Sequence, residues 1–195
     1  MPNTTAFRPG RIDDAAVLAE LANYAGEGMP LYLWGKLASP GETAWDVGRL
    51  RASRETGSFS YRNATVIERA GHAAGSLIGY VIPEVVEPVP ADMPAMFVPL
   101  QELENLAPST WYVNVLAVLP PYRSLGLGTE MLRLADKLGR EKGCRGMSVI
   151  VSNANHGARR LYERLGYAET ATRPMVKEDW INEGTEWVLL TKRQA

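Results

Sequence analysis

Arg123, Gly126 and Gly128 stand in a short loop between an apolar run and a helical pattern, within the segment Val115 to Thr129. That arrangement can hold an anion. Glycines remove side chains where a backbone must approach a ligand, the first turn of a helix leaves amide N–H groups without partners, and the helix dipole adds positive potential. Arg123 adds a full charge at the mouth, which fits a pyrophosphate. A Walker A loop needs Gly-x-x-x-x-Gly-Lys-Ser/Thr, which is absent, and a dinucleotide fingerprint needs a third small residue where Met131 stands. Taken alone, the two glycines also fit a tight strand-to-helix turn with no ligand.

A second constellation follows downstream: Asn155, Ala158, Leu161, Tyr162, Gly166 and Tyr167. Asn155 and Tyr162 are seven residues apart, so on a helix they point nearly the same way, about 10.5 Å apart along the axis. Leu161 and Leu165 then bury against a sheet. Read alone, Asn155 also suits a helix cap, and Tyr162 a half-buried aromatic.

Together the two segments resemble the GNAT superfamily of acetyl-CoA-dependent N-acetyltransferases. The signature Arg/Gln-x-x-Gly-x-Gly/Ala is met by Arg123, Gly126 and Gly128 after the strand Leu116 to Val118, and the Asn, Ala, Leu-Tyr and Gly-aromatic pattern is met by Asn155 to Tyr167. The match covers about Trp111 to Tyr167. The resemblance implies an α/β fold of the α+β type: a mixed, mostly antiparallel sheet with a splayed central parallel strand pair and helices on both faces, one domain over 1–195. It implies acetyl-CoA as cosubstrate, with its pantetheine arm along Leu116, Ala117 and Val118, its pyrophosphate on the Arg123 to Thr129 loop, and Asn155 and Ala158 also on the cofactor. The thioester then lies near Tyr162. No metal is implied, and a homodimer is compatible with the resemblance.

Acyl transfer to an amine by direct attack in a ternary complex needs a neutral nucleophile, a polarised carbonyl and a proton for the departing thiolate. Tyr162, a phenol with a pKa near 10 against about 8.5 for a thiol, suits the proton. A backbone N–H near Val118 suits the carbonyl. The base is less clear, because relatives carry a glutamate on one of two strands where this chain has Tyr112 and Ile150. A lysine-like amine is neutral in only about one molecule per thousand at pH 7. Candidates elsewhere are Glu102, Glu104, Glu84 and His72, each of which also reads as an ordinary surface group.

From Pro83 to Ser109 the chain carries six prolines and five acids, Glu84, Glu87, Asp92, Glu102 and Glu104, with no lysine or arginine. This acidic insertion would attract a cationic amine, so the expected acceptor is a primary amine on a small cationic molecule. Two alternatives remain: an acetyltransferase acting on a protein amine, and a non-catalytic CoA-binding or regulatory module. Tyr80, Trp34, Tyr32 and Trp45 are candidates to line the acceptor cleft, or simply to pack.

The elements that must position these residues can be read from periodicity. Asp13 and Asp14 cap a helix through Val17, Leu18, Leu21 and Ala25, and a second helix runs Thr43 to Arg54. Ala64 to Arg69 and Ser76 to Ile82 form a hairpin whose turn, Ala70 to Gly75, puts His72 at the tip. A short helix is expected near Leu100 to Asn105. Then come a strand at Trp111 to Leu119, a helix at Gly128 to Lys142, a strand at Gly146 to Ser152 and a helix at Ala154 to Leu165 with Gly166 as left-handed cap. Tyr167 to Met175 and Glu186 to Thr191 supply two antiparallel strands. Met29 to Pro40 and the polar start, Met1 to Thr5, suggest no element.

Composition sets the wider bounds. Hydrophobic residues make up 46% of the 195, charged ones 22%, and the formal charge is −1, which calls for neither nucleic acid nor an anionic membrane. The lone Cys144 excludes an intramolecular disulfide and a cysteine-rich zinc site. With neither a signal peptide nor a run of roughly 20 apolar residues, the expected setting is the cytoplasm.

Overall fold

The computed structural model describes residues 4–86 and 88–194, so Glu87 of the acidic insertion and residues 1–3 of the polar start lie outside the described residues. Seven strands form one mixed sheet: β1 (Thr5–Pro9), β2 (Ala64–Arg69), β3 (His72–Val81), β4 (Thr110–Val118), β5 (Gly146–Ser152), β6 (Ala168–Pro174) and β7 (Glu186–Arg193), in the order β1-β2-β3-β4-β5-β7-β6. The expected parallel pair is present, with Thr110 to Val113 of β4 opposite Gly146 to Val149 of β5. β7 runs antiparallel to both β5 and β6. The chain gathers into two compact units, Met1–Gly79 with Asn114–Met131, and Tyr80–Val113 with Leu132–Ala195, and β3 and β4 each run through both.

In the first unit, α1 (Ala15–Ala25), α2 (Met29–Leu37) and α3 (Ala44–Ala52) share a core of Leu18, Ala22, Trp34, Val47, Val66, Ile78 and Val115. Helix α2 occupies the stretch that suggests no element. Gly28 has φ +88°, which ends one helical path, and Pro30 then sits in the first turn of the next, where its missing N–H costs nothing. β1, also unexpected, pairs antiparallel with β2. His72 is not at a loop tip: the turn is only Ala70–Gly71, both at positive φ (49° and 80°) as a two-residue hairpin turn requires, and His72 opens β3 opposite Arg69.

Asp14 does not cap α1 with its side chain. Its carboxylate turns back to accept from both terminal nitrogens of Arg8 (2.7 and 2.8 Å) and from the Arg11 amide (2.7 Å), while Arg8 Nε bonds Glu68 on β2. The Arg8 hydrogen bonds hold the Asp14 pKa below its ordinary value against the opposing effect of burial. Asp14 therefore stays ionised to lower pH in the folded chain than in the unfolded one. Its stabilisation is complete above about pH 4 and fades as pH falls below that. Asp14→Asn is expected to lower stability by about 2 kcal/mol at pH 7, with wild type and variant converging toward pH 2 in urea titrations. A gap that persists unchanged at pH 2 contradicts this account.

In the second unit, α4 (Val98–Glu104) lies within the acidic insertion and packs on β5, β6 and β7, while α6 (His156–Arg164) follows β5. Leu103, Met147, Leu189 and Leu190 are buried there. Helix α5 (Leu127–Glu141) starts in the first unit and continues in the second, and its Met131, Leu132 and Ala135 are buried. Gly166 has φ +89°, as expected of a left-handed cap. Among the described residues no helix is long and apolar enough to cross a membrane.

Candidate active site

The first part of the site lies in the unit that holds Asn114–Met131. The Leu119 amide donates to the Ala74 carbonyl at 2.8 Å, on the β3 side. Backbone groups alternate along a strand, so Ala117 also turns toward β3 while the amides of Leu116 and Val118 point away from it. Two contacts agree with that alternation. A Cβ on Gly75 of β3 would fall 2.5 Å from the Ala117 oxygen, and the Val118 carbonyl accepts from Arg123 Nε at 3.1 Å. Along this stretch the amides of Leu116 and Val118 thus point away from β3, and Ala117 points toward it.

Past β4 the chain reverses through Ser124 (φ +61°) and Gly126 (φ +82°) into α5. The amides of Thr129 and Glu130 both donate to the Gly126 carbonyl (3.0 and 3.2 Å), so those of Leu127 and Gly128 precede the first bond within the helix. Gly126 has no side chain with which to cap them, and no atom lies within 4 Å of where its Cβ would stand. Leu127 is buried and anchors the turn, whereas Leu125 is exposed. Arg123 is held over the Tyr24 ring, 5.1 Å from its centroid. An open backbone cradle with one fixed cation at its edge fits a diphosphate.

The second unit carries the downstream constellation. Asn155 Oδ1 accepts from the Ala158 amide at 3.1 Å, which caps α6. Tyr162 is buried with its ring 5.6 Å from that of Tyr167, and burial pushes its phenol above the ordinary value. In the same unit the Tyr80 hydroxyl donates to Glu104 Oε2 at 3.1 Å, and the Tyr80 ring meets that of Tyr112 edge-on at 5.4 Å. Burial pushes Glu104 up to about 7, with the Tyr80 hydrogen bond pulling the other way. Tyr112 is raised by burial first, then by Glu104, Tyr80 and Tyr162 acting through space. Glu104, Tyr80 and Tyr112 thus form one connected group.

The other base candidates fare differently. Glu84 is paired with Arg145, and Glu102 with Arg173 Nε at 2.7 Å. These cations come from β6 and from the turn before β5, so the picture of an insertion whose carboxylates lack basic partners is corrected. Tyr112 is buried among the tyrosines, Ile150 pairs with Leu189 of β7, and His72 is an exposed residue of the other unit. The four aromatics do not share a role. Trp34 stacks on Phe59 (5.8 Å) and meets Trp45 edge-on (6.3 Å), Tyr32 lies beneath Lys36, and Tyr80 contacts a carboxylate.

Over 56 residues the chain is 38% identical to N-alpha-acetyltransferase MAK3 of Arabidopsis thaliana, a match spanning 29% of this chain and 30% of that relative. The fold resembles a solved acetyltransferase with a TM-score of 0.65 at 18% identity, covering 96% of this chain and 98% of that one. An N-acetyltransferase from Staphylococcus aureus Mu50 gives 0.64 at 16% identity, covering 95% and 99%. The model of the acetyltransferase (GNAT) family matches residues 34–167, more than half of the chain and inclusive of both motif segments, and the chain belongs to that family.

Proposed function

We propose that the chain transfers an acetyl group from acetyl-CoA to a primary amine of a small cationic molecule, by direct attack in a ternary complex. The observation that carries this reading is the cradle at the start of α5, where the first-turn amides of Leu127 and Gly128 and the Arg123 side chain follow a strand whose Leu116 and Val118 amides point away from β3. Acetyl-CoA supplies the activated acyl group. Arg123, Ser124, Leu125, Gly126, Leu127, Gly128 and Thr129 hold its diphosphate, and Leu116 and Val118 hold its arm. Asn155 and Ala158 present the capped start of α6 to the cofactor. Tyr162, raised by burial, remains a neutral phenol at neutral pH and can give its proton to the leaving thiolate. Holding amine and thioester together supplies further acceleration. The cationic class of acceptor rests on Glu104, a half-buried carboxylate whose hydrogen-bond partner is a neutral hydroxyl.

Calorimetric titration with acetyl-CoA tests the cofactor site, and an absence of binding at millimolar ligand overturns it. Gly126→Val forces a β-branched residue to a positive φ that costs roughly 1–2 kcal/mol for any side chain, and it fills the open face of the cradle. Acetyl-CoA binding is expected to weaken by about tenfold or more. An acceptor on a protein is the second reading, favoured by the stretch shared with MAK3. Thiol release with spermidine against a short peptide bearing a free α-amine separates the two. Binding without thiol release on any amine indicates a CoA-binding module.

A further inference from the structure

We propose that Glu104 is the general base of the reaction and that Tyr80 is its positioning residue. The assignment rests on the acetyltransferase reading above and concerns the step which that reading leaves without a residue. Glu104 ends α4, outside both strand positions where Tyr112 and Ile150 stand. Four observations converge on it. It is half-buried, so an amine can reach it while water is partly excluded. Its carboxylate is fixed by the Tyr80 hydroxyl at 3.1 Å instead of being neutralised by a cation. The two other described insertion glutamates are ion-paired, Glu84 to Arg145 and Glu102 to Arg173. Finally, its partner Tyr80 meets Tyr112 edge-on at 5.4 Å, and Tyr162 belongs to the same unit.

The surroundings explain why this carboxylate can take a proton near neutrality. β3 contributes Tyr80 and β4 contributes Tyr112, both uncharged phenols. β6 contributes Arg173, engaged by Glu102. β5 has no titratable side chain, and on β7 Lys192 is paired with Asp136 while Glu186 and Arg193 are exposed. Burial is therefore opposed by one neutral hydrogen bond, and it pushes the carboxyl up to about 7.

The proton balance closes. Ionised Glu104 takes one proton from the ammonium of the acceptor, which frees the nitrogen lone pair to form the C–N bond as the C–S bond breaks. The thiolate takes the phenolic proton of Tyr162, and the second amine proton restores Tyr162. Glu104 then releases its proton to solvent, so the products are the amide, the thiol and one proton.

The test is the pH dependence of thiol release from acetyl-CoA with spermidine, glucosamine, an Nα-blocked lysine and a short peptide with a free α-amine. Wild type is expected to show kcat/KM rising with pH through an acid limb near 7. Glu104→Gln is expected to lose about 100-fold or more and to lack that limb, with acetyl-CoA binding by calorimetry unchanged. Tyr80→Phe removes a hydrogen bond that favours the ionised form, so its limb moves to higher pH, which a purely structural role would not produce. Should Glu104→Gln fail to fold, carbon-13 NMR titration of the Glu104 carboxyl in wild type and Tyr80→Phe answers the same question. A Glu104→Gln enzyme that keeps its rate and limb, or a Glu104 carboxyl titrating near 4, overturns the base and leaves the acetyltransferase reading standing. A wild type that releases thiol with none of these amines overturns both.

Discussion

Tyr162→Phe is expected to lower kcat by about 100-fold or more while changing acetyl-CoA affinity by only a few-fold. The substitution removes one oxygen from a buried ring that otherwise keeps its packing against Tyr167. Binding and folding therefore survive, and what is lost is the proton for the thiolate. Some rate remains because positioning alone accelerates acyl transfer. The acid limb assigned to Glu104 is expected to remain in this variant, since that carboxyl is untouched. Steady-state thiol release across pH, with calorimetry on the same protein, reads both effects. A variant with unchanged kcat at every pH removes Tyr162 from the chemistry.

Gly75→Ala is expected to cost about 2 kcal/mol of stability and to weaken acetyl-CoA binding in the same protein. Even a single methyl on Gly75 would stand 2.5 Å from the Ala117 oxygen and 3.2 Å from the Val118 Cα. Both neighbours are backbone, so no rotamer change relieves the clash and the two strands must separate locally. The displaced segment is the one whose Leu116 and Val118 amides are assigned to the pantetheine arm. A lower urea midpoint with unchanged slope measures the first effect and calorimetry the second. If stability falls and affinity stays, β4 does not hold the arm.

Legibility in the sequence followed the range of each interaction. The cradle at Arg123 to Thr129 and the helix from Asn155 to Tyr162 are local patterns, and the structure forms both within a residue or two of the expected bounds. The parallel pair of β4 and β5 was legible from the strand-helix-strand order, which calls for a crossover between parallel neighbours. Helix α2 was hidden because Gly28 and Pro30 read as breakers, whereas one ends a helix and the other begins the next. The role of Glu104 was out of reach of pattern. Its partner Tyr80 lies 24 residues earlier, and nothing in spacing distinguishes it from Glu84 or Glu102. Their neutralisation was equally invisible, because Arg145 and Arg173 belong to other elements.

Those two ion pairs also bear on the order in which the chain acquires its structure. Glu84 and Arg145 are separated by 61 positions, and Glu102 and Arg173 by 71. At roughly 5–20 residues per second, the acidic segment leaves the ribosome about 3–14 s before its cations exist. During that interval Glu84 and Glu102 lack the partners they have in the folded chain. In the finished protein these two pairs join the acidic segment to the turn before β5 and to β6, so the contacts close only after both of those elements have been made.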